Sequence, residues 1–262
     1  MVHVFKFFIP TPTSSALHFG SLTVHFYALA ILVGIIAALE LTIFRAAGRP
    51  SREEIYDIAF YVIPAGIIGG RLYHVITSPH RYFNSHWIDA FKIWQGGMGI
   101  WGALGLGVAV GWWRAKKINI PFSQTLDLVA PGLLLAQSIG RWGNWFNGEL
   151  FGSPSHLPWA LQIPISLRPQ GYENFATFHP VFLYESLWCL VGLFILLKTT
   201  NLRPGSLFLL YIIWYCLGRT FFELLRIDAA PHVLGMRINF WVSLIGLTLG
   251  TLYFLKGRSS SR

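Results

Sequence analysis

The chain has 262 residues, of which 54% are hydrophobic and only 12% are charged, with a formal net charge of +9. This composition is too apolar for an ordinary soluble domain. A positive charge can indicate nucleic-acid binding. Here its distribution along the chain indicates membrane topology instead, and we expect no nucleic-acid partner.

Seven apolar stretches follow one another along the chain. They cover residues 24–44, 58–76, 98–113, 126–139, 181–197, 206–225 and 238–255. About 20 apolar residues span the hydrocarbon core of a bilayer, so the third and fourth stretches must borrow residues from their flanks. We predict an all-α integral membrane protein with about seven transmembrane helices. It is expected to form a single membrane-embedded domain over residues 1–262.

Neither the amino terminus nor the cysteines indicate processing or cross-linking. The first twelve residues contain one lysine and two prolines, and their apolar run is too short for the core of a signal peptide. We expect Phe5, Phe7 and Phe8 at the membrane interface. Cys189 and Cys216 fall in predicted helices and are expected as buried free thiols. No disulfide, metal or other cofactor is expected.

Basic residues cluster after the first, third and fifth stretches and in the carboxyl-terminal tail. By the positive-inside rule, this pattern places the amino terminus outside and the carboxyl terminus in the cytoplasm. Seven helices fit that orientation. The residues are Arg45, Arg49 and Arg52; Arg114, Lys116 and Lys117; Lys198 and Arg203; and Lys256, Arg258 and Arg262.

In that orientation, almost every polar group in or beside the predicted helices lies on the outer side. The set comprises Tyr27, Arg71, Gly96, Gly97, Arg141, His179, Glu185, Arg219, Glu223 and Arg226. A charge at the bilayer centre costs roughly 2.5–3.5 kcal/mol on insertion scales, so such residues usually pair or face a cavity. We expect an outer-leaflet cavity in which Arg71, Arg141 and Arg219 share an anion. The alternative is snorkelling, in which long side chains reach the headgroups. For Arg226 or Arg237 taken alone, snorkelling and an anion site are equally favoured.

The richest polar segment is residues 140–152, Gly-Arg-Trp-Gly-Asn-Trp-Phe-Asn-Gly-Glu-Leu-Phe-Gly. It begins where the fourth apolar stretch ends, so Arg141 is expected to close that helix at a membrane–water boundary. The segment then lies in an outer-side connection over residues 136–180. An arginine, two asparagines and a glutamate separated by glycines are able to hold an anionic headgroup. We interpret the chain as a membrane enzyme that acts on a phospholipid.

The sixth stretch predicts a second polar face. Tyr215, Arg219, Glu223 and Arg226 are spaced by four, four and three residues, which places them on one side of a helix. Glu223 is able to neutralise either arginine and leave the other for a phosphate. The alternative is an internal ladder of ion pairs that binds nothing.

Other residues have less specific interpretations. Glycines predict close approach of helices or of a ligand, and tryptophans predict an outer aromatic belt. Glu40, towards the cytoplasmic end of the first stretch, is the exception to the one-sided pattern and has no assigned role. The glycines are Gly69, Gly70, Gly96, Gly97, Gly102, Gly105, Gly107 and Gly111, and the tryptophans are Trp94, Trp101, Trp142 and Trp145.

Together these residues resemble the prolipoprotein diacylglyceryl transferase family of bacterial plasma membranes. The family signature is similar to Gly-Arg-x-Gly-Asn-x-x-Asn-Gly-Glu followed by an aromatic residue and glycine, which residues 140–152 carry. Further matches run in order along nearly the whole chain. They are His25-Phe26-Tyr27, Gly69-Gly70-Arg71, Gly96-Gly97-Met98, His179-Pro180 with Leu183-Tyr184-Glu185, and the segment from Tyr215 to Arg226.

The resemblance implies the first step of lipoprotein maturation, with two substrates in the bilayer. The diacylglyceryl group of phosphatidylglycerol moves to the lipobox cysteine of a prolipoprotein, which gives a thioether and glycerol-1-phosphate. Arg141 and Arg219 are implied as the catalytic, phosphate-binding residues. The implied headgroup residues are Asn144, Asn147, Glu149 and Gly152, and the supporting residues are Tyr27, Arg71, Gly96, Gly97, Tyr215, Glu223 and Arg226.

The chain departs from many family members at two places. They carry a histidine where this sequence has Trp101, and Thr-Gln where it has Val181-Phe182. Tryptophan cannot accept the proton of the substrate thiol. Either that histidine is dispensable, another group serves as the base, or this chain is impaired. The candidate bases are His25, Glu149 and His179.

A multi-span transporter of an anionic substrate is the alternative from another functional class. It predicts inverted repeats or matched broken helices, with polar groups near the midplane. The polar groups of this chain cluster on one side instead, and no repeat is visible in the sequence. A purely structural membrane protein leaves the intramembrane arginines unexplained.

Overall fold

Seven α-helices, joined by turns and short strands, make up the described part of the chain. The computed structural model describes residues 8–20, 22–82, 87–93, 96–228 and 230–259, with only the backbone described for Leu22, Arg258 and Ser259. Phe5, Phe7, Trp94, Arg262 and the side chain of Arg258 therefore lie outside the description. The helices are α1 (Phe26–Ala46), α2 (Arg52–Thr77), α3 (Ile100–Lys117), α4 (Phe122–Phe146), α5 (Val181–Lys198), α6 (Ser206–Glu223) and α7 (Ile238–Ser259).

Each predicted apolar stretch coincides with one of these helices, which confirms the all-α membrane class. Five of them, α1, α2, α5, α6 and α7, are long and apolar enough to cross a membrane. The other two are less apolar. α3 ends in Arg114, Lys116 and Lys117, and α4 carries Gln124, Asp127 and Gln137 among its apolar residues.

Two of the helix ends that differ from the sequence prediction change how polar residues are placed. α1 begins at Phe26 because the residues before it form strand β3 (Leu22–His25), which pairs antiparallel with β2 (Ala16–Phe19). α6 ends at Glu223, so Arg226 lies beyond the helix rather than within it.

Many large apolar side chains are exposed and several charged side chains are buried, which is the reverse of the usual pattern in a soluble protein. Phe44 and Phe60 are 82% and 73% exposed, whereas Arg71 and Glu223 are 7% and 3% exposed. A helix surface that faces lipid tails favours apolar residues, while charges in the membrane turn inward and pair. The distribution supports a membrane-embedded chain.

Residues Thr42–Leu126 form one compact unit, which is built on α2 packed against α3. Gly69 and Gly102 approach so closely that a Cβ atom on either would overlap the backbone of the other. The amide of Gly99 donates to the carbonyl of Gly70 at 2.8 Å. The predicted packing role is confirmed for Gly102, but it is wrong for Gly105, where a Cβ would meet no described atom within 4 Å.

Residues Met1–Leu41 and Asp127–Arg262 form the second compact unit. The connection before α5 is held by a small sheet in which β1 (Ile9–Pro10) pairs parallel to β4 (Leu161–Gln162), and β4 pairs antiparallel to β5 (Thr177–Phe178). A buried cluster fills the space beneath it and anchors the start of α5. A further hairpin joins β6 (His232–Val233) to β7 (Met236–Arg237) ahead of α7. The buried cluster comprises Leu150, Phe151, Leu161, Ile163, Phe178, Val181, Phe182 and Phe222.

The first turn of α6 is capped by a side chain from α4. The cap residue of α6 is Gly205, with φ of +90°, which has no side chain to accept a hydrogen bond. The carboxylate of Asp127 replaces it by accepting from the amides of Gly205 at 2.6 Å and Phe208 at 2.8 Å. Because amides at a helix start have no partner within the helix, this contact stabilises α6 and fixes its end to α4.

We expect Gly102→Ala to lower the stability of the protein, because the added methyl group overlaps the carbonyl of Gly69. Overpacking of this kind typically costs about 1–3 kcal/mol. Thermal unfolding in detergent measures the effect. Gly105→Ala is the matched control on the same helix, and it should unfold at or slightly above the wild-type temperature. Equal unfolding temperatures for the two variants would contradict the packing argument.

Candidate active site

The signature segment is helical over its first half. α4 continues through Arg141 to Phe146, well past residue 139, where the apolar stretch ends. The chain leaves the helix after Phe146 and turns at Gly148, whose φ is +63°. There the amide of Glu149 donates to the carbonyl of Asn144 at 3.0 Å and the amide of Gly148 donates to Trp145 at 3.1 Å, the pattern of a Schellman helix end. The prediction that Arg141 closes the helix is therefore wrong, and its backbone is fixed within α4.

Glu185 is the point at which two arginines from different helices meet. Its Oε2 atom lies 2.7 Å from Nη2 of Arg141, and its Oε1 atom lies 3.1 Å from Nη1 of Arg219. The side chain of Glu185 is only 5% exposed. α4, α5 and α6 thus each contribute one charged residue to a single buried contact. The structure brings the two predicted phosphate-binding arginines together.

Glu223, the last residue of α6, pairs with three arginines. It contacts Arg219, lies 3.5 Å from Arg226 through Oε1, and lies 2.6 Å from Arg237 through Oε2. Arg219 is therefore held between the carboxylates of Glu185 and Glu223. Glu223 therefore contacts both the arginine four residues before it and the one three residues after it, and the prediction that it leaves one of them free for a phosphate is wrong.

Asp228 extends the network beyond the helices. Its carboxylate accepts from Arg226 at 2.8 and 2.7 Å and from Nη2 of Arg237 at 2.8 Å. Burial alone would raise the pKa of Asp228, but the hydrogen bonds from both arginines outweigh it and hold the pKa at about 2. The carboxylate therefore stays ionised near neutral pH. Arg237 is 7% exposed and paired, so it does not snorkel.

These residues form one charged network, which we call the arginine cluster. Among the described residues it holds four guanidinium groups and three carboxylates, which leaves one positive charge in excess. The Nε atom of Arg141 is also buried without a described acceptor. A positive excess together with an unused donor favours an anion. The cluster comprises Arg141, Arg219, Arg226, Arg237, Glu185, Glu223 and Asp228.

A narrow cleft lies beside the cluster. Its volume is about 10 Å³, which is room for about one water molecule. Tyr215 and Arg219 line it from α6, one turn apart as predicted, and Glu185 and Cys189 line it from α5. The remaining walls are Trp188 and Phe222. The cleft is therefore lined by two charged side chains, a thiol and three aromatic rings.

Three predicted headgroup residues form a polar group at the end of α4. The side-chain amides of Asn144 and Asn147 each donate to Oε1 of Glu149 at 3.0 Å. Glu149 is exposed, while both asparagines are partly buried. The helix end therefore orients an exposed carboxylate and two amides as one unit.

Two glycines of the signature segment allow close packing. A Cβ at Gly143 would lie 2.7 Å from the ring of Tyr27, and one at Gly152 would lie 2.8 Å from the carbonyl oxygen of Leu225. The amide of Gly152 donates to the carbonyl of His179 at 2.8 Å. Gly152 thus joins the segment to the start of α5 and the end of α6, a packing position rather than a contact surface.

Arg71, Gly96 and Gly97 lie together within the unit of residues Thr42–Leu126. The guanidinium group of Arg71 donates to the carbonyls of Ala90 at 2.8 Å and Gly97 at 3.1 Å, and also to those of Asp89 and Gly96. These contacts give no support to a single anion shared by Arg71 with the two arginines that meet at Glu185.

The three candidate bases have different surroundings. His25 ends β3 and is exposed, and Glu149 accepts two amide hydrogen bonds. Nδ1 of His179 lies 3.2 Å from the hydroxyl oxygen of Tyr184, which accepts from the indole N–H of Trp159 at 3.2 Å. Since an indole N–H only donates, the hydroxyl hydrogen of Tyr184 remains for Nδ1 of His179. With Tyr184 as the donor to Nδ1, the histidine proton is on Nε2.

Sequence reasoning missed the central position of Glu185 and the participation of Arg237 and Asp228. The sequence pattern places Glu185 only among the outer-side polar residues, although an acid among the apolar residues of a membrane helix already indicates a charged partner. Asp228 and Arg237 flank a short hairpin, and nothing in their spacing reveals that they meet.

Comparison with known proteins identifies close relatives. A model of the family described as prolipoprotein diacylglyceryl transferase matches residues 14–256. Relatives named phosphatidylglycerol--prolipoprotein diacylglyceryl transferase include one from Cutibacterium acnes, 48% identical over 92% of this chain and 83% of the relative. One from Paenarthrobacter aurescens is 45% identical over 98% and 85%. Another from Bifidobacterium adolescentis is 44% identical over 95% and 79%.

We expect Glu185→Gln to destabilise the protein, because it leaves Arg141 and Arg219 without the carboxylate between them. Removing one partner of a buried ion pair typically costs about 3–5 kcal/mol. The unfolding temperature in detergent measures the loss. Glu173→Gln is the control, since Glu173 is an exposed carboxylate of the same unit, and its change should stay within about 0.5 kcal/mol. Similar unfolding of both variants would mean that Glu185 does not hold the cluster.

Proposed function

Because the chain belongs to the prolipoprotein diacylglyceryl transferase family, we propose that it transfers the diacylglyceryl group of phosphatidylglycerol to the lipobox cysteine of prolipoproteins. The products are a thioether and glycerol-1-phosphate. The observation that carries the proposal is the meeting of Arg141 and Arg219 on Glu185, within a cluster that keeps a positive charge in excess. The transporter alternative has no support from the relatives.

The charge balance of the reaction explains why arginines are needed. The substrate thiol loses its proton to a base, and the sulfur then attacks the glyceryl carbon that bears the phosphate. The carbon–oxygen bond breaks, and its electron pair leaves with the phosphate oxygen. The phosphate group passes from a singly charged diester to a doubly charged monoester. Fixed positive groups that face this oxygen stabilise the transition state more than the bound lipid.

Arg141 and Arg219 suit this task because a guanidinium group presents parallel N–H donors that match the spacing of phosphate oxygens. Each already contacts Glu185, so their side chains are positioned before the lipid arrives. Glu223 fixes Arg219 from the other side. We propose that the carboxylates position the arginines while the excess charge of the cluster binds the phosphate.

The polar group at the end of α4 is proposed to recognise the glycerol part of the headgroup. Asn144 and Asn147 donate to Glu149, which in turn is able to accept from a hydroxyl group. Tyr27, packed over Gly143, is proposed to support this end of α4. Gly152 is proposed to contribute through the packing of the connection rather than through contact with the lipid.

We propose that the chain is a single domain of the bacterial plasma membrane with seven spans. At about 1.5 Å per residue, α3 is about 27 Å long and α4 about 37 Å, so both are long enough to cross. The proposed orientation has the amino terminus outside and the carboxyl terminus in the cytoplasm, because basic residues lie in or just after the last turns of α1, α3, α5 and α7. The arginine cluster and residues 136–180 would then face the outer leaflet.

We expect Arg141→Ala and Arg219→Ala to abolish transfer, and Arg219→Lys to lower it strongly because lysine keeps the charge but loses the paired donors. Loss of one donor to a developing anion typically costs 10²–10³ in kcat. Release of glycerol phosphate from phosphatidylglycerol, with a lipobox peptide as acceptor, measures the reaction.

The control for these variants is Arg203→Ala, an exposed arginine of the same unit that donates to the carbonyl of Gly257. It should turn over like the wild type. Membrane insertion is measured in parallel, so that a variant that fails to insert is not scored as inactive. Normal turnover by an inserted Arg141→Ala or Arg219→Ala protein would rule out the proposed phosphate site.

The pH dependence of transfer should identify the base. Trp101, in the first turn of α3, is 52% exposed and carries no group that accepts a proton, so Trp101→Ala should leave the shape of the pH–rate profile unchanged. Among His25→Gln, Glu149→Gln and His179→Gln, the variant that loses the base should lose the ascending limb of the profile. Three unchanged limbs would exclude all three residues as the base.

A further inference from the structure

A second basic cavity lies in the unit of residues Thr42–Leu126, which contributes no residue to the arginine cluster. Its volume is about 180 Å³, and we call it the Arg71 pocket. α2 supplies one wall, and the connection between α2 and α3 supplies the rest. The lining residues are Arg71, His74, Arg81, Tyr82, Asp89, Gly96 and Gly97.

Arg71 gives this pocket a positive charge that its own hydrogen bonds do not neutralise. The side chain is buried, with 7% exposure, and the four oxygens that accept its hydrogen bonds are all backbone carbonyls. Carbonyl dipoles satisfy the donors but carry no net charge. A buried guanidinium without a carboxylate partner attracts an anion, because the penalty of removing it from water is only partly offset.

The other side chains of the pocket add donors and positive charge. Arg81 is exposed at its rim and has no acidic partner among the described residues. The ring of Tyr82 lies 5.2 Å from the guanidinium of Arg71, and its hydroxyl lies 2.9 Å from Nδ1 of His74, which leaves Nε2 of the histidine for another partner. The carboxylate of Asp89 is paired with Lys92 at 2.6 Å.

The composition of the connection agrees with this charge. Residues 78–99 contain Arg81, Lys92 and two histidines, but Asp89 is their only acid. In the proposed orientation this connection is on the outer side, where the positive-inside rule disfavours basic residues. Basic residues in an outer connection therefore indicate that their positive charge has a function there.

The geometry of the backbone leaves the pocket open. Gly96 and Gly97 have φ values of +80° and +76°, which favour glycine. A Cβ at Gly97 would lie 2.8 Å from the imidazole of His74 and 3.0 Å from Nη1 of Arg71. Glycine at this position therefore lets the loop reach the guanidinium without filling the space beside the histidine.

We propose that the Arg71 pocket binds the phosphate group of an anionic ligand, as a second anion site formed by residues outside the arginine cluster. Arg81 at the rim and Nε2 of His74 contact the phosphate oxygens, and the buried guanidinium of Arg71 stabilises the negative charge of the phosphate. The phosphate belongs either to a lipid headgroup or to a water-soluble phosphate. The chemistry that recognises it is the same in both cases.

Hydrogen–deuterium exchange of the full-length protein in non-ionic detergent tests the proposal locally. Inorganic phosphate is added to protein in phosphate-free buffer, and exchange is followed in peptides from residues 71–82 and 87–93. We expect saturable protection of these peptides. In the second arm, nanodiscs prepared with and without phosphatidylglycerol replace the detergent, and the buffer again contains no inorganic phosphate. Protection by the lipid identifies a headgroup as the source, and protection by inorganic phosphate alone identifies a soluble one.

Three variants give the expected directions. Arg81→Gln removes a donor at the rim and should raise the phosphate concentration for half-protection about tenfold, the loss typical of a charge-assisted hydrogen bond. Asp89→Asn keeps the carbonyl that holds Arg71 but removes the negative charge, so it should lower that concentration several-fold. Lys117→Gln removes a positive charge at the end of α3, and it should behave like the wild type.

The proposal is overturned if neither phosphate nor phosphatidylglycerol protects these peptides, or if Arg81→Gln and Lys117→Gln respond alike. Arg219→Ala separates this outcome from the proposed function, because it should abolish transfer while leaving protection of residues 71–82 intact. If Arg81→Gln loses the protection of residues 71–82 by phosphate but keeps normal transfer, the result supports an anion site in the Arg71 pocket. Normal transfer by Arg219→Ala would count against the reaction site and not against the pocket.

Discussion

The shared contact of Glu185 with Arg141 and Arg219 is the constraint on which the rest of the site depends. Removing a single ion from water costs several kcal/mol even after relaxation, so none of these three residues is tolerated alone in an apolar interior. Each finds its partner on another helix, and α4, α5 and α6 must therefore keep one arrangement. Glu223 and Asp228 extend the same requirement to Arg226 and Arg237. The reactive groups are in this way held before any substrate binds.

The helices were largely predictable from sequence because long apolar stretches have few alternatives in a membrane. Their ends were less so. α4 runs on to Phe146 through polar residues that carry no apolar signal, and only the helix end at Gly148 stops it. That Arg141 and Arg219 lie close together was predictable from the cost of isolated charges in a membrane. Glu185, the carboxylate that joins the two arginines, lies far from both in sequence. Only the folded structure shows that α5 brings Glu185 into contact with them.

Arginines in this protein have two different kinds of partner. Arg219 contacts two carboxylates, whereas Arg71 contacts only backbone carbonyls. Sequence alone treats them alike, because both lie among apolar residues and both precede a polar segment. The difference is chemical. A carboxylate neutralises the charge, whereas a carbonyl only orients the side chain. Among the described residues that line the Arg71 pocket, the one acid is Asp89, and its carboxylate is paired with Lys92.

The cap that Asp127 places on α6 has a geometric consequence for the two arginines that meet at Glu185. Arg141 follows Asp127 by fourteen residues, and Arg219 follows the capped residue Gly205 by fourteen residues. Two parallel helical segments that begin at this contact and contain equal numbers of residues each rise by about 21 Å, which brings both arginines to the same level. One residue inserted in either segment would displace its arginine by about 1.5 Å and rotate it by about 100°. Matched segment length is therefore as much a property of this site as the identity of its side chains.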